Sequence, residues 1–73
     1  MTKMMTWTKT FNNENEVREF MDTHVGTDKY YKVRERNVTI DKLTVKVRMM
    51  VTRYYWHRAR TLEQNGFSFV GRV

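Results

Sequence analysis

The stretch from Leu43 to Trp56 constrains the fold of this chain more than any other part of it. Its odd positions are apolar up to Val51, whereas its even positions begin with a threonine, a lysine and an arginine. Because successive side chains of a strand point to opposite faces, this alternation predicts one long β-strand with a buried odd face. The even face is predicted to be basic at first and then aromatic, at Tyr54 and Trp56.

A first strand is predicted at residues 5–11, where threonines alternate with apolar side chains. Threonine and aromatic residues favour strands, and Met5, Trp7 and Phe11 would face the core. Lys9 interrupts that apolar face, so an edge position in the sheet is predicted for this strand.

A helix is predicted at residues 14–25. Asn13 is a suitable N-cap whose side chain can accept the amide of Glu16, while Glu16 reaches back in a capping-box arrangement. Apolar residues at helical spacing form one stripe, at Val17, Phe20, Met21 and Val25. Gly26 is predicted to end the helix in a left-handed conformation, and the helix dipole favours the protonated form of His24 in the last turn.

The segment 29–40 is predicted to form a second strand that turns at Asp41-Lys42 into the central one. In that register two arginines of the segment would oppose apolar residues of the central strand. A one-residue bulge between residues 34 and 38 resolves the conflict and turns Tyr31 and Val33 towards the core.

An alternative for the same segment is a tight turn at Arg36-Asn37 followed by a short strand at residues 38–40. The bulged hairpin is the favoured solution.

Two interpretations compete for the region after the central strand. Asn65-Gly66 is a strong hairpin signal, but the residues from Ala59 to Gln64 favour a helix. Gly66 followed by Phe67 also suits a helix end, with Phe67 packing back on Leu62. We predict a short helix at residues 58–65 and a last strand from Phe67 to Val73.

Together these elements predict an α+β fold, a small antiparallel sheet of three to four strands with one main helix packed on one face. The order βαββ(α)β is that of the ferredoxin-like split βαβ unit, and a looser α+β sandwich with a meander is the alternative. The 73 residues fit one domain, residues 1–73. The chain has no cysteine, which fits a reducing cytoplasm, and no signal-peptide pattern or membrane-spanning apolar run.

The formal net charge of the chain is +6 at neutral pH. It is unevenly placed, because residues 1–28 carry more acidic than basic side chains and the positive excess lies from residue 29 onward. This asymmetry indicates a polyanion or an acidic protein surface as the partner.

The basic and aromatic residues of the predicted even face, and those that follow it, are the candidate functional residues. Cations beside aromatic rings suit single-stranded nucleic acid, because bases stack on the rings and cations hold the phosphates. We therefore predict a non-enzymatic module that binds single-stranded DNA or RNA through Lys46, Arg48, Arg53, Tyr54, Trp56, Arg58 and Arg60. The strand alternation fails near Arg53, and local rules tend to break at functional positions, so residues 53–60 are where function is expected first.

A protein-interaction module is the main alternative. Methionine and aromatic side chains are enriched at interfaces, so the surface could form a homodimer or dock an inhibitor or accessory protein, of phage or mobile-element type, on another macromolecule. A third hypothesis is a small ribonuclease with His57 as general acid or base and Arg58 or Arg60 on the phosphate. No cofactor is predicted, and two histidines without cysteine are a poor ligand set for a metal.

Overall fold

The computed structural model describes residues 4–27 and 30–72. Within them the chain forms four strands, two α-helices and one short 3₁₀ turn. These are β1 (Met4–Thr10), α1 (Glu14–His24), the 3₁₀ turn (Glu35–Asn37), β2 (Val38–Asp41), β3 (Thr44–Met50), α2 (Tyr55–Gln64) and β4 (Ser68–Arg72). The predicted α+β fold is confirmed. Predictions that fall on residues 1–3, 28–29 and 73 lie outside the described residues.

The strands form one antiparallel sheet in the order β2-β3-β1-β4. Both β1 and β2 run antiparallel to β3, and both β3 and β4 run antiparallel to β1. Thus β1–α1–β2 and β3–α2–β4 each join two parallel strands with a third strand between them. This interleaving is the ferredoxin-like arrangement that the order of elements predicts.

The interior position of β1 shows that the edge position predicted from Lys9 is wrong. Lys9 lies opposite Val45, on the core side of the sheet. Its Nζ donates a 2.6 Å hydrogen bond to the Asn65 carbonyl and lies 4.5 Å from the centre of the Phe11 ring. Because the aliphatic stem lets the ammonium group reach the rim of the core, an interior strand tolerates this lysine.

One face of the sheet and both helices enclose the hydrophobic core. Val45, Val47 and Met49 of β3 are at most 2% exposed, which confirms the buried odd face up to Met49. The other members of the core come from β1, both helices and the connections, and they are Trp7, Phe11, Val17, Phe20, Val33, Ala59, Leu62 and Phe67. Full burial of an aliphatic or aromatic side chain contributes ~1.5–3 kcal/mol, so this cluster is the main source of stability.

The central strand is shorter than predicted. Its pairing with β1 reaches Met50, which lies opposite Met4, and β3 ends there rather than at Trp56. Val51 is half exposed, so its predicted burial is wrong.

The helix α2 takes the place of the missing end of that strand. It begins at Tyr55, before the predicted start at residue 58. Tyr55, Ala59 and Leu62 recur at helical spacing and all pack on the core. That apolar stripe outweighs the strand alternation after Met50.

The strand predicted at residues 29–40 is also wrong, because β2 contains only Val38–Asp41 and follows the 3₁₀ turn. The disfavoured alternative, a tight turn before a short strand, is closer to the structure. Val33 pairs instead with the segment after α1. The Val33 amide donates to the His24 carbonyl, and the Gly26 amide donates to the Val33 carbonyl, both at 2.9 Å. These bonds hold the residues before the 3₁₀ turn away from β3.

The side chains of the segment 29–40 differ in whether they face the core. Val33 is fully buried, as predicted, whereas Tyr31 is substantially exposed and does not turn inward. In the β2–β3 hairpin, Ile40 lies opposite Val45 and the turn falls at Lys42-Leu43 rather than Asp41-Lys42. Relative to the predicted register, the pairing of β2 with β3 is shifted by an even number of residues. The residues of β2 that are predicted to share a face with the apolar side chains of β3 therefore still do so.

The helix ends are partly as predicted. Asn13 caps α1, and its Oδ1 accepts the Glu16 amide at 3.0 Å, while the Glu16 carboxylate accepts from the Asn12 amide instead of closing on Asn13. The left-handed end predicted at Gly26 is wrong, because α1 ends through the extended residue Val25.

The end of α2 is confirmed. Gly66 has a φ of 87°, a conformation that favours glycine. The Phe67 amide donates to the Leu62 carbonyl at 3.0 Å, so the chain folds back as the sequence predicts.

Candidate nucleic-acid interface

The sheet face opposite the core carries basic side chains. Among the residues described by the structure, it carries no aromatic ring. Lys46 and Arg48 are exposed on it, and their cross-strand neighbours are threonines. We call this surface the threonine face, formed by Thr8, Thr39, Lys46 and Arg48, whereas Thr6, which lies opposite Arg48, is buried. The expected basic and aromatic sheet face does not form, because Tyr54 and Trp56 follow the end of β3 and lie at the start of α2.

Aromatic rings gather instead at the start of α2. We call the group Tyr30, Tyr31, Tyr54, Trp56 and His57 the aromatic cluster. The ring of Tyr30 is its centre, 4.6 Å from His57, 5.5 Å from Tyr54 and 5.7 Å from Tyr31 between centroids. His57 in turn stacks on Trp56 at 3.6 Å.

The rings of this cluster contact one another and are also exposed to solvent. Trp56 is 56% exposed and Tyr30 is 51% exposed, and Tyr31 and Tyr54 are only slightly less so. A contiguous group of large exposed aromatics is unusual on a small domain, so the cluster is a candidate interaction site. Their free ring faces can take flat apolar groups.

A cavity of about 460 Å³ opens beside the aromatic cluster. We call it the arginine pocket, because Arg34, Arg36, Arg53 and Arg58 line it. The rest of its wall comes from the strand ends, the 3₁₀ turn and the start of α2, namely Met4, Asn37, Met49, Met50, Thr52, Tyr54 and Tyr55. None of these described lining residues is acidic. Glu35 lies between two of the arginines in sequence and lines a neighbouring hollow with Thr27, Arg34 and Arg36.

Arg58 is the buried cation of the pocket, with 9% of its surface exposed. Its Nε donates a 3.0 Å hydrogen bond to the Lys32 carbonyl, which fixes the plane of the guanidinium group. Burial, and then the nearby positive charge of Arg34, lower the pKa of Arg58. The pocket therefore concentrates positive charge in a place where that charge is poorly solvated, and an anion would relieve the cost.

The pocket and the cluster share Tyr54 and form one continuous surface. Tyr54 lines the pocket and also contacts Tyr30 of the cluster. The Arg53 guanidinium lies 5.6 Å from the centre of the Tyr54 ring, within range of a cation–π interaction. We call the combined region the aromatic–arginine surface.

The structure brings together some of the candidate residues and separates others. Arg53, Tyr54, Trp56 and Arg58 all belong to the aromatic–arginine surface. Arg60 is exposed one helical turn beyond Trp56, on the same side of α2, and extends the positive region. Lys46 and Arg48 lie apart from it, on the threonine face.

Sequence reasoning missed Arg34, Arg36 and Tyr30 as site residues. The sequence predicts all three in a strand that does not form, so it gives no sign of their approach to α2. Val33 is the one local signal, because an apolar residue flanked by polar ones indicates a point where the loop is anchored in the core.

His24 lies outside this surface, beside a second cavity of about 370 Å³ that also contacts Glu16, Glu19 and Lys9. Burial, and then the positive charge of Lys32, lower the pKa of His24. The lowered pKa contradicts the expectation of a favoured protonated form for His24.

Residues 4–27 and 30–72 contain neither a metal-binding group of side chains nor a helix that could span a membrane. No group of three or more histidine, aspartate or glutamate side chains is placed to hold a metal ion there. No helix in the same residues is long and apolar enough to cross a membrane.

The chain matches no protein-family model, no curated protein and no solved structure. Any function of the aromatic–arginine surface is therefore inferred from its own rings and charges.

Proposed function

We propose that this protein is a non-enzymatic, cytoplasmic module that binds single-stranded nucleic acid through the aromatic–arginine surface. The observation that carries the proposal is the joining of exposed rings to a pocket lined by four arginines and by no described acidic residue. Rings and cations in this combination recognise unpaired bases and their phosphates.

The aromatic side chains and the arginines of this surface would contact different parts of the nucleic acid. Bases would stack on Trp56 and on the tyrosines, and each stacked base contributes ~1–3 kcal/mol without sequence preference. Arg34, Arg36 and Arg53 are exposed and would hold phosphates, with Arg60 as a further contact. Duplex DNA keeps its bases stacked inside the helix, so the rings favour a single strand.

The direct test uses the fluorescence of Trp56. Titration with a short single-stranded DNA or RNA at low salt should change the intrinsic tryptophan emission, and the Trp56→Phe variant should lose that change. The buried Trp7 remains in both proteins and serves as the internal reference. Emission that does not respond to either nucleic acid would refute the proposal.

A protein-interaction module remains the second candidate, and the edge strand β4 favours it. Phe69 and Val70 of β4 are 46% and 61% exposed, and β4 lies at the end of the sheet. An edge with apolar side chains can pair with another chain. Sedimentation at increasing concentration would detect a homodimer, and Val70→Lys should abolish it if β4 forms the contact.

A further inference from the structure

The arginine pocket has the features of an anion site at the start of α2. Thr52, Tyr54 and Tyr55 place the first turn of the helix against the pocket, where the helix dipole favours negative charge. The independent observation is Arg58, which is more than nine-tenths buried and lines the same pocket. Among the residues described by the structure, the hydrogen bond of its guanidinium runs from Nε to the Lys32 carbonyl, and the same side chain lines the pocket.

We infer that this pocket holds the terminal phosphate of a nucleic-acid strand, so that the protein binds strand ends in preference to internal positions. The inference rests on the proposed function and names the part of the ligand that the pocket selects.

Charge is the first reason to favour a terminal phosphate. A phosphate monoester carries a charge of roughly −1.5 to −2 near neutral pH and three free acceptor oxygens, whereas an internal diester carries about −1 and two. Four arginine side chains around one cavity match the more highly charged group better. Arginine also binds phosphate through two parallel N–H groups, so additional free oxygens can be used.

Shape is the second reason. The pocket is a cavity of about 460 Å³ lined by Met4 and Met49 at the strand ends, by the 3₁₀ turn and by the start of α2. An internal diester must enter with chain leaving it in two directions, whereas an end group enters with chain leaving in one. That one direction leads over Tyr54 to the rings of the aromatic cluster. The nucleotide next to the phosphate would stack there.

The test compares single-stranded oligonucleotides of one sequence that differ only at their ends. They carry a 5′-phosphate, a 3′-phosphate or hydroxyls alone, and affinity is read by anisotropy of a dye at the opposite end. The expected result is about tenfold tighter binding of one phosphorylated form, the gain from a few charge-assisted hydrogen bonds. Which end binds more tightly gives the polarity of the strand.

Matched variants locate the effect. Arg36→Gln and Arg48→Gln make the same chemical change at two exposed positions, one in the pocket and one on the threonine face. Arg36→Gln should lose most of the preference for the phosphorylated end, and Arg48→Gln should keep it. Arg58→Lys should also lose it, and Arg36→Gln keeps the test valid if the Arg58 variant does not fold.

The outcomes are distinct. Equal affinity for hydroxyl and phosphate ends overturns the inference and leaves the proposed function intact. Absence of binding to every oligonucleotide overturns both. Tighter binding of a phosphoserine peptide than of any oligonucleotide also overturns the inference and assigns the pocket to a protein partner.

Discussion

The threonine face and the aromatic–arginine surface are both basic and exposed, yet they differ in how their cations are held. Lys46 and Arg48 stand on a regular sheet among threonines, with no ring beside them in the described residues. Arg58 is buried and fixed by the Lys32 carbonyl, and Arg53 lies over the Tyr54 ring. Only the second surface combines positioned charge with stacking partners.

This difference shows why positive charge alone is a poor guide to a binding site. Exposed cations on a flat face attract any anion, and salt screens that attraction within about 10 Å at ordinary ionic strength. A recess with a partly desolvated guanidinium is screened less, because water and ions have less access. On the proposed function, the net charge of +6 would attract a polyanion, and the start of α2 would decide where the polyanion binds.

The largest expected effect comes from truncating a core residue of α2, the helix that carries Trp56, His57 and Arg58 of the aromatic–arginine surface. Leu62 of α2 is fully buried in the core, so Leu62→Ala should lower the free energy of unfolding by ~2–5 kcal/mol. A core of this size supplies only ~3–5 kcal/mol, so the variant should be largely unfolded. Circular dichroism melting measures this. Val70→Ala, at an exposed position, is the control and should change the stability by less than about 0.5 kcal/mol.

Removing the most exposed ring should have the next largest effect. Trp56→Ala should weaken single-strand binding roughly 5- to 150-fold, which corresponds to one lost stacked base. Phe69→Leu removes a half-exposed ring from β4, outside both surfaces, and should leave the affinity unchanged. Equal losses from the two substitutions would mean that the aromatic cluster has no special role.

Salt dependence compares the cations of the two surfaces directly. Each phosphate contact to a single strand contributes about 0.7 to the slope of log K against log salt. Arg53→Gln should lower the slope by that amount, while Lys46→Gln should leave it unchanged. The reverse pattern would place the phosphates on the threonine face.

The smallest expected effect is a change of folding stability with pH. It tests the fold independently of nucleic-acid binding. Because burial lowers the pKa of His24, the folded chain binds this proton less readily than the unfolded chain does. Stability from this group is complete above the ordinary histidine pKa of about 6.5, and it declines as pH falls below that value. Unfolding curves between pH 5 and 7.5 should show this decline, and His24→Gln should flatten it. Nucleic-acid affinity of the folded protein should not respond to His24→Gln, because His24 lies outside the aromatic–arginine surface.

Local patterns made part of this fold predictable. The buried face of β3 follows from strict alternation at Val45, Val47 and Met49, and the start of α1 follows from the Asn13 cap. The start of α2 was not predictable from alternation. Tyr55 fits the helical spacing with Ala59 and Leu62, but its neighbours also continue the pattern of the strand.

The site was predictable only in part, for a different physical reason. Arg53, Tyr54, Trp56 and Arg58 are near one another in sequence, and a basic and aromatic run is visible there. Arg34, Arg36 and Tyr30 reach α2 because Val33 is hydrogen-bonded to the end of α1 and inserted in the core. Such long-range contacts leave no periodic signal in the chain.

Amide chemical shifts of the isotope-labelled protein, recorded during titration with a short single-stranded oligonucleotide, test the central claim most directly. The aromatic–arginine surface predicts that the largest shifts fall at residues 30–36 and 52–60. Shifts centred on residues 8, 39 and 46–48 would place the ligand on the threonine face and contradict the account.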